Sequence, residues 1–164
     1  MPLRPSHLAP RRRVTPTLHG RYLLFSVHSR SYAVEASRVK HVQRAEGAAA
    51  DGELVFLGVP YMVIDLRALL GFPDWSGPVD GPRGRVAVLV VGVGLSAALL
   101  ADAIVNLVLL PLDVIGTLPL DFAAPERRWL RGLARVDDRE VPVLDLDALL
   151  PYRLERRHAQ GLAG

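Results

Sequence analysis

Apolar residues in this chain come in short runs cut by turn residues, and two of those runs are near copies of each other. Val63-Ile64-Asp65-Leu66-Arg67-Ala68-Leu69-Leu70 returns as Val143-Leu144-Asp145-Leu146-Asp147-Ala148-Leu149-Leu150. Each copy is an apolar run, an Asp, then Leu-x-Ala-Leu-Leu, then a breaker, Gly71 in the first and Pro151 in the second. The pattern predicts a buried strand that passes into a helical turn capped by the Asp, with Ala and Leu as good helix formers behind it. The carboxylate accepts from the unbonded N–H groups of the first turn and lies at the positive end of the helix dipole. Asp65 and Asp145 therefore read as structural residues.

From Arg21 onward the remaining runs read as short strands. Tyr22 to Val27 and Ser31 to Glu35 flank His28-Ser29-Arg30, as in a hairpin. Val39 and Val42, three apart, predict one helical turn leading into a strand. Gly47 to Gly52 is a loop, and Val55 to Ile64 is a strand in which Pro60 predicts an edge or a bulge. A Pro- and Gly-rich linker runs from Pro73 to Arg83. Arg85 to Val91, a Gly92-Val93-Gly94 turn, Leu95 to Leu100 and Asp102 to Leu110 follow. Strands at intervals of about eight to twelve residues, with only short helices, predict a mainly β protein of small barrels. The repeat implies two β subdomains, each closed by a strand and its Asp-capped turn, sharing a core.

With 164 residues the chain is expected to form one domain. The absence of cysteine excludes disulfides, thiolate metal sites and cysteine nucleophiles, and makes a cytoplasmic home the default expectation. The net charge of +3 comes from arginine, Lys40 being the only lysine. That excess lies at the ends, in Arg11-Arg12-Arg13 and in Arg153, Arg156 and Arg157, so no nucleic-acid surface is expected from it. Residues 1–19 read as a disordered basic, Pro-rich arm, 20–151 as the folded domain, and 152–164 as a basic tail. The uncharged stretch from Val86 to Ala101 is too short to span a bilayer and is followed by Asp102, and no signal peptide is visible, so no membrane insertion is expected.

Candidate chemistry is sparse. Gly92-Val93-Gly94-Leu95-Ser96-Ala97 fits a G-x-G-x-x-A dinucleotide pattern, which would make the protein a nucleotide binder, but without a βαβ context a tight hairpin is the preferred reading. His7, His19, His28, His41 and His158 lack metal-ligand spacing. Asp137-Asp138 reads as a turn. No catalytic residues, metal or cofactor are expected, and a binding or scaffolding module is the favoured class over an enzyme or a small-barrel RNA binder.

The order of these pieces resembles the CheW-like domain, the coupling module of bacterial chemosensory signalling. The likeness runs from about Tyr22 to Leu150. It comprises Phe25 and Tyr32 to Val34 as an opening hairpin, Val39 and Val42 as a V-x-x-[IV] turn, and Gly58 with Val63-Ile64-Asp65-Leu66-Arg67 as G-x4-[VI]-[IV]-D-L-R. Asp102-Ala103-Ile104 is similar to a V-D-x-V strand, Pro111 to Ile115 to the turn before a variable loop, and Gly132-Leu133 through Leu146 to the closing segment. The resemblance implies two SH3-like five-stranded β-barrels around a shared core. It also implies a non-enzymatic adaptor whose partners are the regulatory domain of a CheA-type histidine kinase and either a chemoreceptor cytoplasmic tip or another CheW-like domain. Val39, Val42, Leu57, Gly58, Val59 and Tyr61 would bind partners, while Asp65, Asp102, Gly132 and Asp145 would be structural. Two departures stand out: only about fifteen residues separate Val42 from Gly58, and Leu57 replaces the family's arginine. Leu57 is then either an exposed apolar contact beside Val59 and Tyr61 or a side chain turned into the core. A CheW-like domain serving a dedicated pathway without receptor binding is the alternative function.

Overall fold

In a computed structural model, residues 19–48, 52–111, 116–118 and 127–162 are described. They form strands β1 (His19–Val27), β2 (Arg30–Glu35), β3 (Val39–Arg44), β4 (Glu53–Phe56), β5 (Val59–Asp65), β6 (Val86–Val91), β7 (Ser96–Ala101), β8 (Ala103–Pro111), β9 (Leu130–Val136) and β10 (Arg139–Leu144). Helix α1 (Leu66–Leu69) follows β5, and helix α2 (Leu146–Leu162) follows β10. The protein is mainly β, as expected. Of the arm, only His19 is described, and it opens β1; Leu112 to Ile115 of the expected turn also lie outside the described residues.

The repeat appears as pseudo-symmetry between two five-stranded sheets, ordered β8-β1-β2-β10-β9 and β3-β6-β7-β5-β4. In each, the strand of the repeat lies parallel to a hairpin strand: β10 against β2 and β5 against β7. The chain halves do not correspond to the two sheets. The first sheet begins with β1 and β2, the second is built entirely from β3 to β7, and the chain then returns through Asp102 to complete the first. An antiparallel bridge from Gly116 to Leu133 of β9 continues the closure of the first sheet. In the second, the edges β3 and β4 meet through side chains, His41 stacking on Phe56 at 4.2 Å.

Three apolar clusters result. The largest lies between the sheets and contains Phe25, Tyr32, Ile64, Leu66, Val88, Leu99, Leu149 and Leu150. A second fills the curl of the β3-to-β4 sheet, around Tyr61, Val63, Leu89 and Leu100, and a third fills the other sheet, around Tyr22, Leu24, Ala33 and Val143. This layering explains why β6 and β7 read as unbroken apolar runs: both of their faces are buried.

Three local expectations are corrected. The run Val55 to Ile64 is not one strand but parts of β4 and β5, joined by a turn at Leu57-Gly58. The expected helical turn leading into a strand is present, as a 3-10 turn at Ala36–Arg38 followed by β3, but Val39 and Val42 lie on the strand and not on the turn. A bulge between Val39 and His41 sets Val39 opposite Val90 and Val42 opposite Val88, so the two valines face the central core together. One extra residue in a strand imitates helical spacing. Pro151 is not a stop either, because α2 continues through it to Leu162. It lies just past the first helical turn and forfeits one bond, to the Asp147 carbonyl, while Leu149 and Leu150 anchor the helix in the core. Gly71 does stop α1: at φ +77° it forms a Schellman cap, with Phe72 N–H donating to the Arg67 carbonyl at 2.8 Å.

Three two-residue hairpins share one turn chemistry, with positive φ at both central residues, as type I′ turns require. They are His28-Ser29 (49° and 62°), Leu57-Gly58 (49° and 77°) and Asp137-Asp138 (48° and 61°). Replacing Asp137-Asp138 by Asn-Gly is expected to stabilise the fold by about 0.5 kcal/mol in urea unfolding. A loss of stability would show that the aspartates contribute more than turn geometry.

Candidate functional site

The β4–β5 hairpin projects an apolar tip. Leu57 is 86% exposed at its apex, flanked by exposed Val55 and Val59. Of the two readings of Leu57, the inward-turned one is overturned. The cause is the two-residue turn, which points the Leu57 side chain away from the strands. Leu57 holds φ at 49°, a conformation that costs a non-glycine residue about 1–2 kcal/mol. Gly58, at φ +77° with open space around the position of a Cβ, is there for its backbone. Pro60 fits because the pair flanking the turn, Phe56 and Val59, exchanges the hydrogen bonds, which directs the Pro60 nitrogen away from β4. The pairing of β5 with β7 begins only at Met62.

The other predicted partner residues are not on this tip. Tyr61 is only 5% exposed and packs inside the second sheet with Leu54 and Val63, so the apolar surface expected beside Leu57 lacks it. Alternation along β5 dictates this, since Val59 and Tyr61 share the inner face and only Val59 lies beyond the core. Val39 and Val42 are half-buried against the central core on β3, at the opposite edge in strand order. A second exposed apolar stripe, Val105, Leu107 and Leu109, lies on the edge strand β8; period-two spacing in that run was its sequence signal.

Behind the surface, the four structural residues behave differently from one another. Asp145 caps α2, its Oδ1 accepting from the Ala148 N–H at 3.2 Å. Asp65 caps α1, accepting from the Arg67 N–H at 3.0 Å, and its other oxygen takes Arg85 Nη1 at 2.8 Å. Gly132 is buried in β9 opposite Val143. Asp102 stands where the chain passes from β7 to β8, and it receives Arg67 through a two-point contact, Nε to Oδ1 at 2.8 Å and Nη2 to Oδ2 at 2.6 Å. The His28 N–H donates to the same carboxylate at 2.8 Å.

Arg67, only 9% exposed, was missed as a functional position. Its Nη1 also donates to the Pro73 carbonyl at 2.8 Å, fixing the start of the linker. Trp75 then lies over both cations, 5.3 Å from Arg67 and 6.0 Å from Arg85, and donates its indole N–H to the Pro78 carbonyl at 3.0 Å. A Cβ on Gly77 would come within 2.4 Å of the Trp75 ring, so glycine is required there. The signal for this clamp was present: the repeats differ in charge at one position, Arg67 against Asp147, and Asp102 interrupts an apolar run.

Burial acts to raise the Asp102 pKa, but hydrogen bonds from Arg67 and the His28 N–H, with the charges of Arg67 and Arg85, prevail and hold it below the ordinary carboxylate value. The hydrogen bond to Asp102 in turn raises the Arg67 pKa. These are stability contacts. Among the described residues no cluster of His, Asp or Glu could hold a metal. Gly92 to Leu95 form a hairpin turn between β6 and β7, with Gly92 N–H donating to the Leu95 carbonyl at 2.9 Å. No helix starts there, which removes the dinucleotide reading. No helix among the described residues is long and apolar enough to cross a membrane.

Two measurements test this assignment. Asp145→Ala should cost about 1 kcal/mol in urea unfolding, the value of a cap, whereas Asp65→Ala should cost about 2–3 kcal/mol because it also leaves Arg85 without its carboxylate. Equal losses would mean that the Arg85 pair contributes nothing. The second concerns pH. The folded Asp102 pKa lies below the unfolded value of about 3.9, so the native state binds fewer protons; the stabilisation is present above that value and drains as pH falls through the lower folded pKa. Asp102→Asn should therefore melt well below wild type at neutral pH, with the gap closing in acid. A gap independent of pH would assign the loss to packing.

The comparisons with known proteins agree with this architecture. A model of the CheW-like domain family matches residues 21–153. The crystal structure of scaffolding protein TtCheW from Thermoanaerobacter tengcongensis superposes with a TM-score of 0.68 at 19% identity, covering 79% of this chain and 90% of that one. A search of curated protein sequences returns no match. The family model spans both sheets, the clamp and the hairpin tip, and on that match the chain belongs to the CheW-like domain family.

Proposed function

We propose that this chain is a non-enzymatic, cytoplasmic adaptor that docks the regulatory domain of a CheA-type histidine kinase through the β4–β5 tip. The single observation that carries the reading is Leu57: a large apolar side chain, 86% exposed, kept in a backbone conformation that disfavours it. Folding gains nothing from that choice. Strain retained at an exposed position is what a contact surface would require. The stripe of Val105, Leu107 and Leu109 on β8 supports a second partner, a chemoreceptor tip or another CheW-like domain. Family members carry arginine where Leu57 stands, and its replacement by an apolar residue favours a dedicated partner over general receptor coupling, with binding little affected by salt.

The test separates stability from binding. Leu57→Asn relieves the turn, since Asn tolerates left-handed φ, and should raise stability by about 0.5–1 kcal/mol. In calorimetry with the kinase regulatory domain the same variant should bind about tenfold more weakly or worse, from about 1.5–3 kcal/mol of lost leucine burial. Stability and affinity then move in opposite directions. Unchanged kinase binding would remove the tip from the interface, and binding of a receptor-tip fragment in parallel would decide against the dedicated-pathway alternative.

A further inference from the structure

The start of β9 and the second turn of α2 bring three arginines onto one cavity of about 490 Å3. Its floor is Ala68 and Leu69 of α1, and its walls are Arg128, Trp129, Tyr152, Arg153 and Arg156. None of these residues belongs to the β4–β5 tip or to the β8 stripe. Trp129 and Tyr152 pack at 4.6 Å between ring centres. The Arg128 guanidinium lies 5.5 Å from the Trp129 ring and 5.2 Å from that of Tyr152. Arg156, one helical turn beyond Tyr152, lies 5.7 Å from its ring and donates to its hydroxyl at 3.2 Å. Among the described residues no carboxylate is paired with Arg128 or Arg156, in contrast to Arg38, Arg67, Arg85 and Arg131.

Cations held against aromatic rings are pre-positioned, and a stacked guanidinium keeps its in-plane N–H donors for an acceptor. Placing Arg128 and Arg156 together, with no carboxylate among the described residues paired to either, is unfavourable unless an anion arrives. We propose that this cavity docks an acidic segment of a partner protein, with its carboxylates received by Arg128 and Arg156. The cavity far exceeds one inorganic anion. Trp129 is only 5% exposed and the half-buried Tyr152 ring already carries Arg128 and Arg156, so neither ring is presented as a free platform for nucleic-acid bases, and a net charge of +3 gives no extended basic track. The proposal rests on the adaptor reading for the ligand's being part of a protein, and it adds what chemistry that ligand presents.

The test is fluorescence anisotropy of the full chain with a labelled oligoglutamate peptide, against an oligoglutamine control. Oligoglutamate should bind and oligoglutamine should not. Raising salt from about 0.1 M to about 1 M, where the screening length falls from about 10 Å to about 3 Å, should abolish the difference. Arg128→Gln and Arg156→Gln should each weaken binding by about tenfold, the worth of one charge-assisted hydrogen bond, with melting unchanged. Arg128→Lys keeps the charge but not the planar fork, and should weaken binding severalfold. Arg156 is exposed on α2, so its variant remains informative if Arg128→Gln fails to fold. Equal binding of the two peptides, or wild-type affinity in the arginine variants, would overturn the proposal. So would tighter binding of pyrophosphate or of oligouridylate, which would make the cavity a small-anion or RNA site. The kinase domain is titrated separately: peptide binding without kinase binding leaves this surface standing and removes the kinase from it, and kinase binding without a preference for glutamate overturns it.

Discussion

The Arg67–Asp102 pair is the constraint on which the rest of the molecule depends. Both side chains are largely withdrawn from water, and a charge in that position has to be met by an opposite charge and by enough hydrogen bonds to replace its hydration. Meeting that demand ties together three segments distant in sequence and the linker that follows the first of them. Arg67 brings α1 and the end of β5, Asp102 brings the crossing from one sheet to the other, His28 brings the β1–β2 turn, and Pro73 brings the linker. Lysine would not serve: the site uses donors on Nε, Nη1 and Nη2 in one plane, aimed at a carboxylate and a carbonyl. Hydrophobic burial supplies most of the stability, as the three apolar clusters indicate. The pair contributes specificity, because a register slip at β8 would carry Asp102 away from its partner and leave two buried charges unmet.

The two copies of the repeat show how one local design is adapted to two neighbourhoods. In both, an apolar strand runs parallel to a hairpin strand and ends in an Asp-capped helix. In both, the second residue of the helix makes an ion pair, yet the signs are opposite: Arg67 to Asp102 in the first copy and Asp147 to Arg38 in the second. Helix length differs for a backbone reason. Gly71 can take the left-handed conformation that seals α1 after one turn, whereas Pro151 only removes a single donor from α2. The longer helix is then held at its start: Leu150 approaches the β6–β7 hairpin so closely that a Cβ on Gly92 would lie 2.8 Å from it.

Much of this was legible in the residues. Most strand positions, the β1–β2, β6–β7 and β9–β10 hairpins and the capping role of the repeated Asp follow from local rules, and the resemblance supplied the pairing of two sheets. The β4–β5 hairpin was read as one strand, because leucine at the first turn position hides the turn. The failures have physical causes. The spacing of Val39 and Val42 was credited to the helical turn that does precede β3, when it comes from a bulge that puts strand residues three apart on one face. Tyr61 was placed on the surface because its neighbours Leu57 and Val59 are there, although alternation alone put it inward. The clamp escaped notice because its two charges lie thirty-five positions apart and each, taken singly, looks like an accident within an apolar run. Long-range charge pairing has no periodicity to betray it; the difference between the repeat copies was the one local trace.

The residues that secure the fold and the exposed apolar tip occupy different parts of the molecule. Residues that meet buried charge or fill the clusters are fixed by packing and hydrogen bonding, so a change in any of them is felt throughout the core. Leu57 touches none of that machinery. Its turn lies beyond Met62, where β5 gains its second neighbour, so backbone strain at the apex is borne by one two-stranded hairpin and is not transmitted to the sheet. The tip can therefore accept almost any residue without loss of the fold. Leucine and the arginine of the family place the same demand on the backbone at this apex, so the geometry permits the one to replace the other without disturbing the sheet behind it. A fold whose core is pinned by the Arg67–Asp102 pair is free to vary the residue at this apex while keeping the apex in place.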